Sequence, residues 1–147
     1  MSTLALAMCL PAVADAAVKN PDWEVFALAA AFTLLIGVML MLTARSRARN
    51  LNQRQAFILT ALSWTIIPAF GALPFTFSEL ELSYTDAFFE AMSGITTTGS
   101  TVLTGLDFAP PGILIWRALL QWLGGIGIIA MAIAILPMLQ VGGMQLF

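Results

Sequence analysis

The sequence predicts an all-α membrane protein: two leading transmembrane helices, then a full-length helix, a re-entrant half-helix and a second full-length helix. Three observations carry this. The 147 residues are 60% hydrophobic and only 10% charged, with a mean hydropathy of +0.93, beyond what soluble domains reach. Long apolar runs recur along the chain, each near the ~20 residues that cross a bilayer. Between the last two runs, YTDAFFEAMSGITTTGSTV (Tyr84–Val102) is too polar to span a bilayer and too apolar for an ordinary soluble loop. A half-helix that enters the membrane, stops at Gly99 and returns fits that composition.

Met1–Val18 is apolar except for Ser2, Thr3 and Asp15, with Pro11 inside it. It reads either as a cleaved signal peptide, with Ala12-Val13-Ala14 as the small-residue cleavage site, or as a first span lacking its start. The absence of a basic n-region favours the span. After the polar turn Lys19–Asp22 comes Trp23–Leu42, twenty residues with only Glu24 charged, at the edge. Trp23 suits an interface. Residues 1–43 are thus read as the two leading helices.

Residues 44–55 form an Arg-rich loop that holds Arg45, Arg47, Arg49 and Arg54, four of the six basic residues in the chain. The positive-inside rule puts it in the cytoplasm. Residues 56–147 form the repeat. Its first span, Ala56–Phe77, contains Pro68, Gly71 and Pro74, and proline kinks a membrane helix where neighbours satisfy the freed carbonyls. Its last, Ile113–Leu139, has 27 residues with Arg117 as its one charge. Gly124, Gly125 and Gly127 in it permit close packing. Trp116 is expected at the outer interface, and Trp64 and Trp122 between helices. With the Arg loop inside, the half-helix and its turn enter from the outer side.

The half-helix is expected over about residues 85–95, some 16 Å at 1.5 Å per residue, or roughly half of a ~30 Å hydrocarbon core. Ser83 and Asp86 resemble a capping box with Asp in place of Glu. The helix C-terminus carries partial negative charge and faces the turn of residues 96–101, Thr96-Thr97-Thr98-Gly99-Ser100-Thr101. That turn has no formal charge and offers carbonyls and hydroxyls, which replace the water around a weakly hydrated monovalent cation. Irregular backbone at membrane depth survives only inside protein or along a water-filled path. Gly99 can adopt positive φ and let successive carbonyls face one way. Glu79, Glu81, Asp86, Glu90 and Asp107 fall on the outer side, where acidic groups concentrate cations. Glu90, one turn into the half-helix, is the acid read as bracing the turn, and Arg117 either pairs with it or snorkels to the interface.

The runs Asp86–Phe108 and Leu119–Phe147, with GALPF at Gly71–Phe75, resemble the Trk/Ktr/HKT superfamily of potassium transporters. The resemblance implies a potassium-channel-like fold of four successive helix–pore-helix–helix repeats around one pore, each giving one filter strand. This chain resembles the two extra leading helices and the first repeat. By that analogy the carbonyls of Thr97 and Thr98 ligate potassium, Gly99 is the filter glycine with Ser100 beside it, and Thr96 and Thr101 flank them. The resemblance further implies potassium uptake across the inner membrane, either passive or ion-coupled, with potassium as transported ligand and no covalent cofactor. The implied partners are the remaining repeats, a second copy in a homodimer, a cytosolic nucleotide-binding regulatory subunit and the lipid bilayer.

Other functions fit less well. A net charge of −2 leaves no basic surface for nucleic acid, and a chain with no His and the single Cys9 has neither His-based catalysis nor an ordinary zinc site. A carboxylate-based secondary transporter needs an ionisable group near the midplane of a span, and the long spans have none there. The remaining rival is a non-conducting truncated fragment or membrane scaffold. A single filter strand cannot surround an ion, and the chain stops at Phe147 without a polar tail, so it is expected to be a piece of a longer protein.

Overall fold

The computed structural model describes residues 1–44 and 52–139. Arg45, Arg47 and Arg49 of the basic loop, and residues 140–147, lie outside the described residues. Those described form six α-helices and one short 3-10 turn, with no strand among them.

Helices α1 (Ser2–Ala17) and α2 (Asp22–Ala44) make the leading hairpin. Alanine, leucine and methionine carry α1 through Pro11. Its 16 residues rise about 24 Å. It packs along α2 through Leu4, Met8, Phe26, Ala29 and Ala30, all buried. Helix α2 is apolar on all sides, as a helix between lipid and protein is; Leu28, Leu35 and Met39 face outward. Three stretches are long and apolar enough to cross a membrane: Asp22–Thr43, Arg54–Phe77 and Pro111–Ile133.

The third stretch of sequence expected to span is bent. It forms α3 (Gln53–Gly71) and the short α4 (Leu73–Phe77), separated at Ala72. The cause is Pro74, which has no N–H to give the Phe70 carbonyl. The ladder closes again on either side, with Ala72 N donating to Pro68 O at 2.8 Å and Thr76 N donating to Ala72 O at 3.0 Å.

Helix α5 (Tyr84–Ile95) has 12 residues, about half the length of the apolar stretches Arg54–Phe77 and Pro111–Ile133 on either side of it. Ser83 caps it: its Oγ accepts from Asp86 N at 3.2 Å and donates to Asp86 Oδ2 at 2.7 Å. The aspartate is one methylene shorter than the glutamate of a full capping box, so it meets the cap hydroxyl rather than the cap N–H. Ala87, Glu90, Ala91 and Ile95 form the buried face, at helical spacing. A 3-10 turn at Leu106–Phe108 leads back to α6 (Pro111–Leu139).

Trp116 sits at the centre of the bundle, not at an interface. It is fully buried, edge-on to Phe26 with ring centroids 6.3 Å apart. Its Nε1 donates to Gly71 O at 2.9 Å. A tryptophan whose N–H finds a carbonyl at a helix break is stable in the interior. Trp122, on α6, is 64% exposed among the described residues. Trp64 is half-buried, with Nε1 3.3 Å from Met131 Sδ.

Candidate functional site

The turn after α5 is built by the way that helix ends. Thr96 is its C-cap. Thr98 N donates to Ser93 O at 3.0 Å and Thr97 N donates to Gly94 O at 2.9 Å, the two bonds of a Schellman motif. That motif places its next residue in the left-handed region, usually a glycine. Here the residue is Thr97, at φ +58°. A β-branched side chain in that region costs about 1–2 kcal/mol and persists only where surrounding structure holds it. Gly99 follows at φ +78°, where glycine is unstrained.

Two side chains supply the hold. Ser93, buried in α5, donates from Oγ to Ser100 O at 2.6 Å. Glu90, 2% exposed, grips the strand that leaves the turn. Its Oε1 accepts from Thr101 Oγ1 at 2.5 Å, Val102 N at 2.6 Å and Leu103 N at 3.3 Å. Its Oε2 lies 3.1 Å from Arg117 Nε; the angle is not that of a hydrogen bond, so the contact is ionic. A carboxylate buried with three donors and a cation has its charge compensated.

The resulting geometry sorts the residues singled out in the sequence. Thr97, Thr98 and Gly99 lie on an exposed turn, and Thr96 before them is half-buried. Thr96 Oγ1 donates to Met92 O at 2.8 Å and lies 2.8 Å from Thr98 Oγ1. Among the described residues no donor bonds the carbonyl of Thr96, Thr97, Thr98 or Gly99. The Ser100 carbonyl is different, because Ser93 occupies it. Glu90 and Arg117 are brought together, and Thr101 joins them as a hydrogen-bond donor. Behind the turn a pocket of about 210 Å³ is lined by Glu90, Ser93, Gly94, Gly99, Arg117 and Gln121.

Helix α6 closes against the end of α5 at Gly124. A Cβ there would fall on the Ile95 carbonyl, so glycine permits a contact between helix and helix end that alanine would block. Ser93, as a donor to a carbonyl seven residues on, had no signature in the sequence. Two further groups were missed. Asp15 Oδ1 accepts from Gly112 N at 2.7 Å, and Asp22 Oδ1 accepts from Glu79 N at 3.1 Å. Asp15 stood out only as the lone acid of an apolar run, and no local pattern links it to a residue 97 positions away.

Comparison with known proteins agrees with this architecture. Residues 23–147 match the family model described as TrkH, cation transport protein. The Trk system potassium uptake protein TrkH of Escherichia coli (strain K12) is 54% identical over 115 residues, covering 78% of this chain and 24% of that protein. The Trk system potassium uptake protein TrkG of the same strain is 35% identical over 143 residues, covering 97% of this chain and 30% of that protein. The crystal structure of the potassium transporter TrkH from Vibrio parahaemolyticus superposes with a TM-score of 0.84 at 37% identity, covering 99% of this chain and 31% of that one. The chain therefore spans about a quarter to a third of the length of these relatives. These are transporters and not enzymes. The chain, an integral membrane protein, belongs to the TrkH family of cation transport proteins.

Proposed function

We propose that this chain contributes one strand of a potassium-selective filter to a transporter that takes up potassium across the inner membrane. The observation that carries the reading is the turn itself. Consecutive carbonyls, from Thr96 to Gly99, have no donor among the described residues, and positive φ occurs at both Thr97 and Gly99. Carbonyl oxygens left free of internal bonds can replace the hydration shell of a potassium ion. The ligands are the carbonyls of Thr97 and Thr98, with Gly99 as the filter glycine and Thr96 and Thr101 flanking. Ser100 takes a lesser part than its position alone implies, since its carbonyl already accepts from Ser93. Glu90 and Arg117 brace the filter from behind.

In this reading α5 is the pore helix, entering from the outer side, and the loop with Arg45, Arg47 and Arg49 is cytoplasmic. One strand forms one wall, so conduction needs the other repeats of the longer transporter. By analogy with the family, that transporter is a homodimer that works with a cytosolic nucleotide-binding subunit. The test uses the full-length transporter in a strain lacking its own potassium uptake. Gly99→Asp should abolish growth on limiting potassium and the preference for potassium over sodium. Unchanged growth would refute the assignment of this turn as a filter strand.

A further inference from the structure

We infer that the α1–α2 hairpin is a clamp that positions the filter-bearing segment, with Asp15 and Asp22 as its two jaws. The inference rests on the reading of the turn as a filter strand and extends it to two residues of the leading hairpin, which lie outside the stretch, residues 23–147, that the family model matches.

Both carboxylates are buried, Asp15 at 0% and Asp22 at 2% exposure. Each reaches across the fold to one backbone N–H. Asp22 holds Glu79 N at 3.1 Å, in the link that leads into α5. Asp15 holds Gly112 N at 2.7 Å, in the first turn of α6. Everything proposed to contact or brace the ion, from Glu90 to Thr101, is strung between those two points, and Arg117 follows five residues after the second. The jaws are fixed to each other. Asn20 N donates to Asp15 O at 2.9 Å, and Asn20 Oδ1 accepts from Asp22 N at 2.8 Å. Lys19 turns the chain between the helices at φ +57°.

The chemistry at α6 is that of an N-cap supplied by another helix. Proline at 111 has no N–H, so Gly112 carries the first donor, and an anion there suits the positive end of the helix. The carboxylate fills the space a Cβ would need at Gly112, so a larger residue there would have to displace the Asp15 side chain. Stability alone does not account for two buried carboxylates. Each has one oxygen, Oδ2, without a hydrogen-bond partner among the described residues, and apolar side chains of similar volume bury at lower cost. What a carboxylate adds is a directional hold on a backbone segment.

The test compares Asp15→Leu and Asp22→Leu with Asp15→Asn and Asp22→Asn in the full-length transporter. Potassium uptake and amide hydrogen exchange over residues 78–83 and 109–113 are measured together. Each Leu variant removes the acceptor. It should raise the KM for potassium by about tenfold, erode potassium-over-sodium selectivity and speed exchange at the segment it releases. Each Asn variant keeps an acceptor and should stay within about twofold of the parent. Leu variants that lower only Vmax or protein amount, with KM and exchange unchanged, would overturn the clamp. So would Asn variants as impaired as the Leu ones. Where Asp15→Leu fails to fold, Asp15→Ser, too short to reach Gly112, takes its place. Gly99→Asp run in parallel separates the two claims: if it changes nothing, the filter reading fails, while the exchange data still decide the clamp.

Discussion

Thr97 carries a conformational strain that its neighbours maintain. At φ +58° it occupies the position that a glycine would fill without cost. Thr97→Gly should therefore stabilise the fold by about 1 kcal/mol, net of the extra flexibility of glycine in the unfolded chain. Thermal unfolding in detergent measures this; a lower melting temperature would mean the threonine side chain contributes more than the backbone loses. Glu90 is the counterpart that keeps the strand in place. Glu90→Ala leaves Thr101 Oγ1, two backbone donors and Arg117 without their acceptor, and should cost about 3–5 kcal/mol. Glu90→Gln keeps an acceptor but leaves the Arg117 charge uncompensated, and should fall between. Denaturation of the three proteins side by side gives the order. The sequence made Glu90 and Arg117 legible because two ionisable groups in apolar surroundings need partners. It left the Ser93–Ser100 bond hidden, because a serine inside a helix carries no mark of what its hydroxyl meets.

At the level of elements, the junction of α5 with α6 decides whether the turn stays where it is. Gly124 sits against the Ile95 carbonyl, whereas Gly125 has open space around the position of a Cβ. Gly124→Ala should therefore cost roughly 1–3 kcal/mol or more through overpacking. Gly125→Ala should be neutral or slightly stabilising, since alanine is the better helix former. Equal effects from the two substitutions, read by unfolding, would contradict the close approach. The ends of α5 were largely readable: Ser83 announces its start and the polar turn its stop. The break at Ala72 was readable as a proline effect, though not its exact place. Trp116 was not, because amphipathic tryptophan fits an interface as well as an interior. Only the carbonyl of Gly71, presented by the break between α3 and α4, distinguishes them.

For the whole molecule, the leading hairpin is joined to the later helices through contacts that no local pattern announces. Asp15 to Gly112 and Asp22 to Glu79 join residues 97 and 57 positions apart. The exposed apolar surface, including Trp122, Ile129 and Ile133 on α6, is consistent with a chain that covers 31% of the solved relative. The fold class was legible from hydropathy because a bilayer constrains helix length so strongly. Reversing the charge of Arg45, Arg47 and Arg49 to Glu should disturb insertion, as the positive-inside rule requires; cysteine labelling that still finds the loop in the cytoplasm would remove these residues as the orientation signal.

The most direct measurement of the central claim is anomalous diffraction from crystals of the full-length transporter soaked in rubidium or thallium, which substitute for potassium. A peak is expected within coordination distance of the carbonyl oxygens of Thr97 and Thr98, beside Gly99. A filled site elsewhere along the pore, with those carbonyls hydrogen-bonded or turned away from it, would contradict it.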